Sequence, residues 1–373
     1  MARHSVLCAA LLAACSFAVP ARADWPHTSS LSGVPCGADG GSQGYVAAAP
    51  DGAGGAFVAW VDGARTGVAV QRVSSAGIPL WGSAGLMANT TGRPGSAPAI
   101  VQDGSGGAIV CWESGPSPLD VYAQRFDAGG TPQWTAGGVA LSGSSSTKTS
   151  VSAAPDGLGG AYVSWTQSTT VHGVAGTPLV MVQHVDGSGT RLWGTGLGVT
   201  STGDSQGADA MTSDGAGVAI VAWAEVVSGT SHIFSQRYNS AGTAQWTANG
   251  VSVCALTSGG QFLPVIVGDG AGGALVAWSD YRFTSSEAPF AQHLGATGAS
   301  TWFVLGVQLT SASSYAEATS IATDDAGGAI VSVDYASDIY AQRVDASGTR
   351  QWGTSIGAPL CTDPGLQQSS RLV

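Results

Sequence analysis

Lysine is almost missing from this chain: Lys148 is the only one among 373 residues. Charge of any kind is scarce, with 13 Lys and Arg against 24 Asp and Glu and a formal net charge of −11. A surface so poor in cations cannot neutralise rows of phosphates, which excludes nucleic acid and argues against anionic membrane surfaces as partners. Beyond the N-terminus no apolar run approaches the roughly 20 residues of a membrane-spanning helix. Heptads rich in Ala, Glu, Lys, Leu and Arg are missing, so a coiled coil is out. No Cys-x-x-Cys, no Cys/His cluster with zinc spacing, no His-x-x-x-His pair and no phosphate-binding loop appear. Neither a metal nor a cofactor is expected, and no catalytic residue is assigned.

The chain is rich instead in glycine (56 residues) and tryptophan (12 residues). The glycines have no three-residue period, which excludes collagen. The tryptophans and the scarce charge exclude a disordered chain. A Gly/Ser/Thr/Val/Ala-rich globular sequence of this kind belongs with all-β folds built on many tight turns.

Residues 1–23 read as a secretory signal. Arg3 and His4 precede an apolar stretch from Val6 to Val19, and Ala21-Arg22-Ala23 sets cleavage between Ala23 and Asp24. A second reading takes Leu12-Ala13-Ala14-Cys15 as a lipobox, with a lipid anchor at Cys15. The expected location is secreted, periplasmic or at the cell surface. Export permits disulfides, and Cys36, Cys111, Cys254 and Cys361 allow three pairings that sequence alone does not choose between.

An internal repeat dominates everything after that. Asp51-Gly-Ala-Gly-Gly-Ala-Phe-Val-Ala-Trp60 recurs at Asp103–Trp112, Asp156–Trp165, Asp214–Trp223, Asp269–Trp278 and Asp324–Val333. Each copy continues to a glutamine (Gln71, Gln124, Gln183, Gln236, Gln292, Gln342), and a second tryptophan always stands ten residues later. Each unit of 52 to 58 residues reads as four strands, a to d. An Asp-Gly-x-Gly-Gly turn joins a to b, and an Asp/Asn-x-x-Gly turn joins c to d in most copies. Four antiparallel strands at this period form a β-propeller blade. The expected fold is therefore all-β: one propeller domain over residues 24–373, with six four-stranded blades. Trp25–Cys36 resembles a strand d without its blade, so seven blades with one incomplete is the alternative.

The segments Asp338-Ile-Tyr-Ala-Gln-Arg-Val-Asp-Ala-Ser-Gly348, Gln351-Trp352-Gly353 and Leu360-Cys361-Thr362 are similar to the repeat of secreted bacterial propeller-like proteins. That resemblance covers nearly all of residues 25–373. It implies an exported propeller and no particular reaction.

Residues present in every copy are read as scaffold, and residues unique to one copy as functional candidates. The repeat aspartates are expected to cap their turns. A second acidic set just past strand b (Asp62, Glu113, Glu225, Asp280, Asp334) is expected to pair with the strand-c arginines Arg72, Arg125, Arg237 and Arg343. Only the b–c connection varies much in length, and it is longest in copies three to five. These loops carry His172, His232, Tyr281, Arg282 and Glu287, the expected ligand-contacting residues. Cys36 and Cys361, at comparable points of two strand-d segments, are a possible stapling disulfide. The function expected is a non-catalytic, monomeric binding or scaffold module for an extracellular protein or carbohydrate, acting through the b–c face. The alternative is a secreted hydrolase or lyase with an unrecognised site.

Overall fold

The structure is a computed structural model, and it describes residues 36, 42–89, 95–115, 118–143, 146–168, 170–171, 174–214, 217–256, 258–283, 286–310, 316–353 and 355–362. The signal segment, with Cys15, Ala23 and Asp24, lies outside the described residues, as does His172.

Six four-stranded antiparallel sheets follow one another in chain order, each in spatial order a-b-c-d. Sheet one is β1 (Gln43–Pro50), β2 (Ala56–Asp62), β3 (Gly67–Val73) and β4 (Leu86–Met87). Sheet two is β5 (Gly95–Gln102), β6 (Ala108–Ser114), β7 (Asp120–Phe126) and β8 (Val139–Ala140). Sheet three is β9 (Thr147–Pro155), β10 (Ala161–Ser168), β13 (Leu179–Val185) and β14 (Leu197–Gly198); its long b–c loop forms its own short ladder, β11 (Thr170–Val171) with β12 (Val174–Ala175). Sheet four is β15 (Gln206–Ser213), β16 (Val218–Val227), β17 (Thr230–Asn239) and β18 (Val251–Ser252). Sheet five is β19 (Gln261–Gly268), β20 (Ala274–Phe283), β21 (Ser286–Leu294) and β22 (Val307–Gln308). Sheet six is β23 (Ala316–Thr323), β24 (Ala329–Tyr335), β25 (Asp338–Val344) and β26 (Ala358–Cys361). These are the six blades that the repeat predicts.

Strand b is apolar because it is covered on both faces; every residue of Ala108–Ser114 is buried. Its tryptophans Trp60, Trp112, Trp165, Trp223 and Trp278 are all buried. The core consists of five clusters, each spanning two consecutive blades. Consecutive strands a also approach one another, which puts them innermost in the stack.

The fixed spacings have direct causes. In the a–b turn, one oxygen of Asp51 accepts from the N–H groups of Ala53 (2.8 Å) and Gly55 (2.7 Å). Its other oxygen accepts from Nε of Arg72 at 3.0 Å. The same arrangement recurs at Asp103–Arg125, Asp324–Arg343 and, with histidine, at Asp156–His184 and Asp269–His293. The strand-c cations therefore pair with the turn aspartates, and the expected pairing with the acids past strand b is wrong. Register explains why: Arg72 lies opposite Phe57 near the start of strand b, whereas Asp62 lies at its far end opposite Gly67. Those acids take other partners. Asp62 holds Arg65, Glu225 accepts from the Trp223 indole, and Asp280 accepts from the Trp278 indole.

The buried glutamine fixes the ten-residue step to tryptophan. Oε1 of Gln124 accepts from the N–H of Trp134, and its Nε2 donates to the carbonyl of Thr135, both at 3.0 Å. One side chain thus bolts strand d to strand c across the hairpin. The second tryptophan joins blades. The indole of Trp81 donates to the Ala128 carbonyl in the next blade's c–d turn at 3.3 Å, and its ring packs on Gly130, where φ is +87° and a Cβ would meet the ring at 3.0 Å.

Candidate functional site

The a–b and c–d turns emerge on one face of the stack, and the b–c and d–a connections on the other. The turn face is repetitive and locked by aspartates. The loop face is where the copies differ, and it holds the residues singled out from the sequence.

The structure separates those residues. His232 lies on strand c of blade four, opposite Glu225. It borders an apolar cleft of about 320 Å³ with Val227, Phe234, Cys254 and Leu256. Arg282 is spent inside the scaffold, which corrects its assignment as a ligand contact. Its Nε and Nη2 donate to Asp280 at 2.8 and 2.6 Å, and its guanidinium lies 3.7 Å over the Phe290 ring. A desolvated cation held by a buried carboxylate and an aromatic face has little left to offer a ligand. No disulfide joins Cys36 to Cys361. Cys361 instead lies in strand d of blade six, while the Cys36 carbonyl accepts from Gln71 of blade one.

Tyr281 and Glu287 do come together. Strand b of blade five runs on to Phe283 and strand c starts at Ser286, so a short connection folds the two side chains onto each other. The Tyr281 hydroxyl donates to Oε2 of Glu287 at 2.7 Å. Phe262, from strand a of the same blade, meets the Tyr281 ring edge-to-face with centroids 5.6 Å apart. Phe262, Leu263, Tyr281 and Glu287 line an open cleft of about 490 Å³. Both rings are more than a third exposed, and Glu287 is buried.

A further carboxyl stands beside it. Glu317 is the second residue of strand a of blade six, opposite Asp334. Burial raises its pKa, and the negative charges of Glu287 and Asp334 raise it further. The site thus combines a carboxylate fixed as an acceptor, a carboxyl biased towards holding its proton, and two exposed aromatic rings. Among the described residues no group of three His, Cys, Asp or Glu side chains is arranged to hold a metal ion.

Phe262, Leu263 and Glu317 sit on strand a, outside the b–c loops that supply the sequence candidates. A signal existed. The register position of Phe262 and Glu317 is held by Gly44, Ser96, Thr149 and Gly207 in the other blades, so two large side chains among four small ones mark a departure. The serines of three Gly-x-Ser-x-Gly strings, Ser42, Ser205 and Ser355, lie outside any strand, and the described residues contain no helix to make a nucleophile elbow.

No family model and no curated protein matches the chain in sequence. Solved structures do match in shape. An ulvan lyase of a new polysaccharide-lyase family aligns with a TM-score of 0.53 at 11% identity, covering 80% of each chain. A puromycin hydrolase aligns at 0.48 and 15% identity over 87% of this chain and 46% of its own. A galactanase from Bifidobacterium bifidum aligns at 0.41 and 10% identity over 74% and 95%. The likeness to the ulvan lyase, at 11% identity, is one of fold alone.

Proposed function

We propose that this is an exported propeller that binds carbohydrate through the loop face of blades five and six, as a non-catalytic binding or scaffold module. The cleft at Phe262, Tyr281 and Glu287 carries that reading. Exposed aromatic rings offer flat apolar surface to the C–H faces of a pyranose, and a buried carboxylate accepts from its hydroxyls. That a polysaccharide lyase shares the fold supports sugar as the ligand class. The carboxylates of Glu287 and Asp334 repel anionic groups, so neutral glycans fit better than sulfated or uronate-rich ones. A glycan array with wild type, Phe262→Ala and Tyr281→Ala tests this: binding to neutral glycans, lost in both variants, is expected.

One observation favours a second reading, a hydrolase or lyase. The Tyr281–Glu287 hydrogen bond beside a carboxyl with a raised pKa resembles an acid–base pair. Incubating any bound oligosaccharide with wild type and Glu317→Gln separates the readings. Chain shortening that Glu317→Gln abolishes makes the protein an enzyme.

A further inference from the structure

The cleft at Phe262, Tyr281 and Glu287 carries more negative charge than a neutral sugar uses. Glu287 is 8% exposed and lines the cleft. Its Oε2 is held by the Tyr281 hydroxyl at 2.7 Å, while its Oε1 accepts no hydrogen bond among the described residues. Glu317 enters from strand a of blade six, and Asp334 stands opposite it on strand b of the same blade. Burial first, then the charges of Glu287 and Asp334, raise the pKa of Glu317, so these carboxyls lie close enough to repel one another.

The basic side chains of blades five and six do not offset that field. Among the described residues Arg282 is the one cation on their loop face, and Asp280 holds it at 2.6 Å. Arg343 pairs with Asp324 in the a–b turn, and Arg350 follows the c–d turn, both at the opposite face. His293 is likewise bound to the turn aspartate Asp269. Lys148, the only lysine, stands beside Asp120 between blades two and three. Carboxylates without a nearby cation, beside two exposed aromatic rings, are the elements of an ammonium site. A charged nitrogen donates strong hydrogen bonds to a carboxylate oxygen, and a ring face attracts the same cation. Phe262 and Tyr281 are 40% and 39% exposed, with ring planes at 85°, so the cleft offers a ring face as well as an edge.

On the proposal that this cleft binds carbohydrate, we infer that it selects glycans whose sugars carry free amino groups, the ammonium donating to Oε1 of Glu287 beside the rings of Phe262 and Tyr281. Glu317 and Asp334 add to the field that draws the cation in. Acetylating the nitrogen removes its charge and leaves one N–H donor of three, so an acetylated sugar loses the advantage.

Isothermal titration calorimetry of the full chain tests this with three linear tetrasaccharides of the same linkage, built of glucosamine, N-acetylglucosamine or glucose, below the pKa of the amine. The glucosamine chain should bind at least about tenfold more tightly than either neutral chain, and added salt should narrow the gap. Glu287→Gln keeps an acceptor of the same shape, so it should bring the glucosamine chain down to the neutral level and leave the neutral chains bound. Glu317→Gln, at a half-buried position, should narrow the preference and serves if Glu287→Gln fails to fold. Asp325→Asn, in an exposed a–b turn at the opposite face, should leave the preference unchanged. Equal or weaker binding of the glucosamine chain overturns the inference; if Tyr281→Ala still abolishes binding of the neutral chains, the carbohydrate site stands without it. A preference that Asp325→Asn narrows as much as Glu287→Gln also overturns it, because it then belongs to the acidity of the whole surface. If none of the three chains binds, both proposals fall.

Discussion

Gln124→Ala removes three hydrogen bonds at one stroke. The side chain is fully buried; its Oε1 accepts from the N–H groups of Arg125 and Trp134, and its Nε2 donates to the Thr135 carbonyl, all at 3.0 Å. Each bond contributes about 1 kcal/mol net, and each buried backbone group left without a partner costs about 1–3 kcal/mol. A loss of about 3–5 kcal/mol follows, large against the stability of ordinary domains. Gln124→Glu is the sharper variant, because it keeps the acceptor and turns an oxygen towards the Thr135 carbonyl. It should cost nearly as much. Urea unfolding at neutral pH gives the change in midpoint, and hydrogen exchange reads the Trp134 amide directly. A shift under about 1 kcal/mol with unchanged Trp134 protection would refute the claim that this side chain locks the c–d hairpin.

Trp165→Ala should cost about 3–5 kcal/mol, because its ring is wholly enclosed; Trp352→Ala, half-buried and without an interblade bond among the described residues, should cost clearly less in the same urea titration. Asp209 is held in a buried site with Thr166 Oγ1 at 3.2 Å, and desolvation pushes its carboxyl up to about 7. Its folded pKa lies above the unfolded one, so its contribution falls as pH rises from about 4 to 7. Asp209→Asn should raise the melting temperature at pH 8 relative to wild type and flatten that decline; unchanged curves would show the carboxyl to be solvated. The turn aspartates Asp51, Asp156, Asp269 and Asp324 behave in the opposite sense. Burial opposes their ionisation, but backbone N–H groups and the strand-c cation outweigh it and hold the pKa low. Their contribution is present above the ordinary carboxylate pKa and is lost as pH falls through the lowered values, so melting temperature should drop steeply below about pH 4.

The scaffold was legible because it repeats. One turn aspartate, one glutamine and the strand-d tryptophan recur in all six copies and the strand-b tryptophan in five, so the sequence reports the same constraints again and again, and the hydrogen bonds of the aspartate and the glutamine supply their cause. The partner of Arg72 was not legible, because two acids lie within reach along the chain and only the hairpin register decides between them. Arg282 misled for a related reason. Its position in a variable loop suggested exposure, while the Asp280 and Phe290 that consume it sit on strands already counted as scaffold. The cleft was half visible: Tyr281 and Glu287 share a loop, whereas Phe262 and Glu317 reach it from strands a of two different blades.

Hydrogen exchange of the protein with and without a neutral oligosaccharide from the array tests the functional claim most directly. The account predicts that added protection concentrates on residues 260–263, 281–283, 286–288 and 316–318, and that Tyr281→Ala abolishes it. Protection centred on the turn face around Asp51, Asp103 and Asp156, or on no segment at all, would contradict it.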